Sequence, residues 1–372
     1  MNKKQLTTLV IVLAVIMVAC IGLGAFLILR DNQPQQPQPT AATKAPATEA
    51  PTTVPTAAPT TEPTTEPTTA PTTEPPVIYT NPLTGEVVDA PIETRVFTCT
   101  ISNVIAALPI YGVNDSDIFW EMLVNGGATR GLAMFADISK AGEMGSMRSA
   151  RDNFVDICEA YDAVLGYSGG SGHVLNKIYN CGIAHLPDNG NYYYRHDDRV
   201  YGGWDYEHCL TTNGPALLEY ATNWDYRTAT ERQDYGLLFE EGATPAGEDA
   251  QEISFYYWSN SRKMTYNAET GMYEYWMYGD PAYDFFSEEA ISFKNVLLLQ
   301  MLVYNNDIYH ISDLDGSGVG YYACNGKIIP IQWHHEAELE PFTFTLMDGT
   351  PLVMDVGNSY IGFVPEEDPI EW

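Results

Sequence analysis

Positive charge is what this sequence has least of. Its 372 residues carry 18 Lys+Arg against 49 Asp+Glu, a formal net charge of −31. The first 76 residues hold four of the basic and five of the acidic side chains, so 14 face 44 beyond them. A nucleic-acid binder needs a basic footprint, and none is visible. Close contact with anionic lipid headgroups is disfavoured for the same reason. Cysteine is also sparse: Cys20 lies in an apolar run, and Cys99, Cys158, Cys181, Cys209 and Cys324 include no C-x-x-C pair. That excludes a dense disulfide framework and a zinc ribbon, and Cys99 and Cys158, inside apolar patterns, read as buried free thiols.

The chain does have a long apolar run, from about Leu6 to Leu29, preceded by Lys3 and Lys4. It is long enough to span a bilayer, and the lysines place the N-terminus inside. Met17-Val18-Ala19-Cys20 is similar to a lipobox with Cys20 as the lipidated residue, so residues 1–30 read as a signal-anchor helix or a lipoprotein signal. Residues 31–76 have no core-forming pattern. Prolines at 51, 55, 59, 63, 67, 71 and 75 recur every four residues among threonines. This is a stalk, part polyproline II, with a reach of up to about 140 Å. The expectation is a domain held outside the membrane.

The scarce arginines gather where the pattern is densest. Met147 to Phe154, read with Gly169-Gly170-Ser171, suggests a loop, a helix, a buried strand and a glycine turn in succession. Ser146 or Ser149 can cap the helix, and Ser149-x-x-Asp152 has capping-box spacing. Arg148 and Arg151 would then sit in a first helical turn, against the dipole. Such placement implies negative charge nearby: a bound anion, or an acidic side chain such as Asp117 or Glu121.

Elsewhere, Val96 to Ile101 and Leu132 to Ala136 read as buried strands, Asp117 to Val124 as a helix capped by Ser116, and Gly172 to Asn180 as a short helix. Residues 191–235 are rich in Tyr and Trp, suited either to sugar stacking or to packing a loop-rich region. After an acidic, turn-rich gap at 241–249 the period becomes two. Strands are expected over 253–258, 263–266, 272–278, 296–304, 319–324, 327–333, 342–346 and 360–364, with a hairpin turn at Asn267–Gly271. The predicted class is α+β: an α/β-type domain over 77–241, then a mostly antiparallel β domain over 251–366.

These segments together resemble the YerB-like family of bacterial membrane-anchored lipoproteins. The resemblance rests on Asn81-Pro-Leu-Thr-Gly85, on Asp117 through Arg130, on Arg148-Ser-Ala-Arg151 with Tyr161-Asp162-Ala163, and on Gly169-Gly170-Ser171. It continues through Lys294-Asn295-Val296, Gly316 to Gly320 and Asn325-Gly326-Lys327. Ser146-Met147 stands where the family usually has Pro-Val. Of the family's Arg-x-Ala-Pro-His-Asn segment only His208 can be carried over. The resemblance implies a cell-envelope location and a two-part build, and it supplies no reaction.

Three functions follow as expectations. The first is a tethered, non-catalytic envelope protein that binds a glycan, an anionic cell-wall group or a surface protein. Its site would be Arg130, Arg148, Ser149 and Arg151 with Gly169, Gly170, Ser171 and His208, since arginine's fork suits phosphate and carboxylate. The second is an envelope hydrolase or transferase. Gly166-Tyr-Ser168-Gly-Gly170 fits G-x-S-x-G, Asp188 or Asp205 follows, and His208 would be general base to Ser168 or Ser171. A plain glycine turn explains the same residues. The third is an assembly protein offering a sheet edge. No cofactor or metal is expected: Asp313-Leu-Asp315-Gly-Ser317-Gly318 begins like a calcium loop but has Cys324 where the bidentate Glu belongs, and His334-His335 would face opposite sides of a strand.

Overall fold

The computed structural model describes residues 78–372, apart from 233 and 338. The expected anchor, Cys20 and the Pro/Thr stalk lie outside the described residues. The described residues make one compact unit. The central sheet takes β1 (Phe97–Ser102), β2 (Ile118–Asn125), β3 (Ala128–Phe135), β4 (Val164–Tyr167) and β5 (His185–Pro187) from the first half. Between them come helices α1 (Asp152–Ala160) and α2 (Gly172–Cys181), followed by α3 (Asp197–Gly202) and α4 (Gly214–Asn223). The second half adds β6 (Glu252–Tyr257), β7 (Asn260–Asn267), β8 (Met272–Met277), β9 (Asn295–Met301), β10 (Gly316–Cys324), β11 (Lys327–His335) and β12 (Ser359–Pro365). The structure is mostly strand, with few helices.

In the central sheet the order runs β11-β10-β9-β12-β2-β3-β1-β4-β5. The pairs β9–β12, β12–β2, β1–β4 and β4–β5 are parallel, while β3 runs antiparallel to both β2 and β1. β10 is antiparallel to both β9 and β11, so seven of these strands point the same way and their carboxyl ends share one edge. α1 and α2 cover one face, packing Phe154, Val155, Ile157, Val174 and Ile178 with Trp120, Met122, Leu132 and Phe363. The other face is covered by α4 and by a second, antiparallel sheet built on β6–β7–β8, through Leu217, Phe255, Tyr257, Tyr273 and Tyr275 against Phe119, Ile101 and Leu298.

The helix expected over Asp117 to Val124 is a strand. Both faces of β2 are buried: Ile118, Trp120, Met122 and Val124 enter the core beneath the helices, while Phe119 and Leu123 enter the other. A strand buried on both faces reads as a continuous apolar run, and such a run shows no alternation to distinguish it from a helix. The capping box is also absent. Arg151 is the N-cap residue of α1 and makes no side-chain cap, so Arg148 and Arg151 both precede the first helical turn. Many of the rings at 191–235 are packing: Tyr192 stacks on Tyr220 at 4.4 Å, Tyr193 donates to Leu186 O, and Trp204 Nε1 donates to Leu108 O at 2.8 Å. The hairpins are placed as expected. At the β10–β11 turn Asn325 (φ 51°) and Gly326 (φ 71°) take the left-handed pair that such a turn requires. The five cysteines of the described residues are free thiols, and all but Cys181 are buried.

One polar cluster lies in the middle of the packed layers. Glu121 of β2 and Arg262 of β7 are fully buried. Glu121 Oε1 accepts from Arg262 Nε (3.0 Å) and Nη2 (2.8 Å), and from Thr129. Its other oxygen accepts from the hydroxyls of Tyr275 and Tyr360, the latter at 2.7 Å. Burial alone would raise the Glu121 carboxyl, but Arg262 and these donors hold it below its ordinary value. Removing one partner of such a pair leaves a buried charge uncompensated. Arg262→Met should therefore cost about 3–5 kcal/mol in urea unfolding, and Glu121→Gln added to it should recover part of that loss.

At the start of β2, Asp117 accepts from Asn81 Nδ2 (2.7 Å) and Ala136 N (2.6 Å). Burial raises its carboxyl to about 6 against those two donors. A raised folded pKa means that folding takes up a proton between pH about 4 and 6, so this contribution is full at low pH and lost as pH rises through about 6. Asp117→Asn should flatten the fall in stability over that window, as read by denaturation at a series of pH values.

Candidate functional site

The carboxyl edge of the parallel strands is where open α/β sheets bind ligands, because helix N-termini and loops converge there. β1 ends at Ser102, β2 at Asn125, and β4 runs into the Ser168–Ser171 turn. Residues 146–151 lie across this edge and are tied to each neighbour. Ser102 N donates to Ser146 O (3.0 Å), Arg148 N to Thr100 O (3.2 Å), Ser168 N to Arg148 O (2.9 Å) and Ala150 N to Gly169 O (3.0 Å). Gly169 takes φ 77°, and a Cβ there would lie 3.5 Å from Ser149 Oγ. Ser171 caps α2 by accepting from Val174 N at 3.2 Å. Gly170 packs on Leu175.

Three arginines meet on this scaffold. Arg130 opens β3 as the cross-strand neighbour of Ser102, and only 7% of it is exposed. Its Nη1 donates to Ser149 O at 2.7 Å. Arg151 donates to Ala150 O (2.8 Å) and Asn125 Oδ1 (2.7 Å), and lies over the Tyr309 ring at 5.4 Å. Arg148 pairs with Glu207 at 3.2 Å. Among the described residues neither Arg130 nor Arg151 forms an ion pair with a carboxylate. Asp117 and Glu121, the acids expected as partners, are engaged by Asn81 and Arg262 instead. Burial, then the charges of Arg151 and Arg148, hold the Arg130 guanidinium well below its ordinary value. Burial also lowers Arg151, and Arg148 adds to it. Arginine still stays charged. One buried guanidinium, Arg130, and two half-buried ones, Arg148 and Arg151, thus stand close together in a strongly acidic protein.

Unpaired polar atoms collect around it. Arg130 Nε, Arg151 Nε, Ser102 Oγ, Ser146 Oγ and both amide atoms of Asn103 are buried without a protein hydrogen-bond partner. Buried polar groups are otherwise almost always paired. Ser102, Asn103, Ser146, Asn125 and Tyr309 were not among the residues expected from sequence. Only a serine-asparagine step at the end of a buried strand pointed their way.

His208 lies at the rim, 4% exposed, with Nε2 3.6 Å from Glu207 Oε1. Glu207 thereby joins it to Arg148. Burial and then Arg148 lower the imidazole pKa. Its Nδ1 has no protein partner. The serine-hydrolase arrangement is not assembled. Ser168 donates directly to Asp188 at 3.2 Å with no imidazole between them, and the left-handed residue of the turn is Gly169 rather than the serine. Asp205 accepts the His208 backbone N–H through its own carbonyl (2.7 Å), a turn contact. The sequence G-x-S-x-G is here a strand-to-helix turn.

Arg148→Ala removes only a partly exposed pair and should cost no more than about 1 kcal/mol. Gly169→Ala, which forces a Cβ into the left-handed region, should cost about 1–2 kcal/mol. Urea midpoints of the two variants check both figures.

Comparison with known proteins bears on the whole of this unit. Residues 83–227 match the family described as "Protein of unknown function (DUF3048) N-terminal domain", and residues 253–361 match its C-terminal domain. A Bacillus subtilis (strain 168) protein named "Putative lipoprotein YerB" is 24% identical over 308 residues, spanning 77% of this chain and 86% of the relative. The crystal structure of the Bacillus subtilis YerB protein matches with a TM-score of 0.68 at 22% identity, over 79% of this chain and 99% of that one. At that identity the likeness concerns the fold.

Proposed function

We propose, from the premise that this chain belongs to the DUF3048 family, that it is a tethered cell-envelope protein which binds an anionic group at Arg130, Arg148 and Arg151. One observation carries the reading: a buried guanidinium, Arg130, beside a half-buried one, Arg151, neither of them paired with a carboxylate among the described residues, in a chain where acids outnumber bases 49 to 18. Phosphate or carboxylate suits them, since a guanidinium fork donates two parallel hydrogen bonds to either. Ser102, Asn103 and Ser146 would supply further contacts to the ligand's oxygens. A neutral glycan would leave the charge uncompensated. The envelope setting is supported by the relative's name, by the apolar run with Cys20 and by the Pro/Thr stalk.

Thermal unfolding of the full chain against phosphate-bearing wall fragments, carboxylated fragments and neutral glycans tests this. A ligand that binds only the folded state adds about 2.7 kcal/mol at a hundredfold excess over its Kd. The midpoint should rise with an anionic class, should not rise with neutral glycans, and the rise should vanish in a folded Arg148→Ala. A shift of equal size in Arg148→Ala, or none with any anion, rejects the reading.

A further inference from the structure

The same edge of the sheet carries a second feature of opposite sign. Two cavities, of about 480 and 720 Å3, border the first turns of α1 and the ends of β9 and β12. Both are lined by Asp313 and Asp315, so they form one groove. Asp152 and Asp156 in the first cavity are held by His173 (2.7 Å) and Lys177. Asp313, Asp315 and Glu366, which line the groove toward its second cavity, have no cationic partner among the described residues. Acidic side chains alone would be a solvated face. The observation that goes further is His335, 4% exposed, which lines the first cavity. Its Nδ1 is 3.1 Å from Leu314 O. A carbonyl only accepts, so Nδ1 carries the proton and in the neutral ring Nε2 presents a lone pair. That Nε2 is buried without a partner, and so is the Oγ of Ser312, 2% exposed, in the same cavity. Phe342 stacks on the imidazole at 4.7 Å and fixes its plane.

An unused acceptor on a fixed ring calls for an N–H donor, and the carboxylates call for positive charge. We propose that this groove binds a linear polyamine, with one ammonium group donating to His335 Nε2 and Ser312 Oγ. The methylene chain runs along Tyr304, Ile311 and Leu314, and a second ammonium meets Asp313, Asp315 and Glu366. A metal ion fits less well. No three His, Cys, Asp or Glu side chains converge as a ligand set among the described residues, and the first cavity alone is far larger than an ion. The proposal is independent of the arginine cluster, whose ligand is of the opposite charge.

Calorimetric titration of the full chain with spermidine tests it. Wild type should bind, and Asp313→Asn/Asp315→Asn should weaken binding about tenfold or more. Glu240→Gln/Glu241→Gln, which removes the same charge from exposed positions outside the groove, should not. Ser312→Ala should weaken binding with the charge unchanged, Arg148→Ala should leave it intact, and fully N-acetylated spermidine should not bind. The proposal is overturned if wild type shows no binding, if the two double variants weaken it equally, or if calcium displaces spermidine one for one.

Discussion

A carboxylate and a guanidinium, both taken wholly out of water, fix how the layers of this protein meet. Glu121 belongs to the central sheet and Arg262 to the smaller one, and Tyr275 and Tyr360 bring a strand of each to the carboxylate's other oxygen. The pair is costly to bury, and only the full set of donors offsets that cost. Tyr257, which donates to Glu121 O at 3.1 Å with its hydroxyl 3.0 Å from that of Tyr360, adds to the same set. Any sliding of β6–β8 over the central sheet would strand a charge in hydrocarbon. Register between the sheets is therefore set by electrostatics, where apolar packing alone would tolerate several alignments.

With that register set, the functional edge follows from strand direction. Seven strands end on one side, and the loops at that edge carry the Ser168–Ser171 turn, the arginine segment and the acidic groove. Positive and negative features share this edge but not their environment. Arg130 is buried and Arg151 half-buried, and both are held by uncharged oxygens, which neutralise nothing. The carboxylates line open cavities, where water screens them. A buried charge and a screened one select ligands differently: the former by geometry, the latter by charge density.

Much of the fold was legible in residue order. Val96 to Ile101, Leu132 to Ala136 and the alternating strands after residue 252 were readable because each has either a short apolar run between turn residues or a clean period of two. Arg148, Arg151 and the glycine turn stood out because basic residues are rare here. β2 was not legible, since burial on both faces erases its period. α4 was hidden among Tyr220, Trp224 and their neighbours, whose rings suggested a loop surface. The partners of the arginines were out of reach for a different reason. Ser102, Asn125 and Tyr309 are separated in sequence and meet only through the pairing of β1, β2 and β3 and of Tyr309 with Asn125, and Glu121 and Arg262 stand 141 positions apart.

β12 has a consequence for how such a chain folds as it is made. Ser359–Pro365 lies between β9 and β2, parallel to both, in the middle of the sheet. A polypeptide made N-terminus first exposes the unsatisfied edge of β2 and, once it forms, that of β9, until residue 365 has emerged. Long-range parallel pairing is slow to form, and open edges invite pairing with other chains. Vectorial synthesis thus leaves the edge of β2 open for most of the chain's making, and two half-sheets stand apart from the formation of β9 until β12 fills the gap.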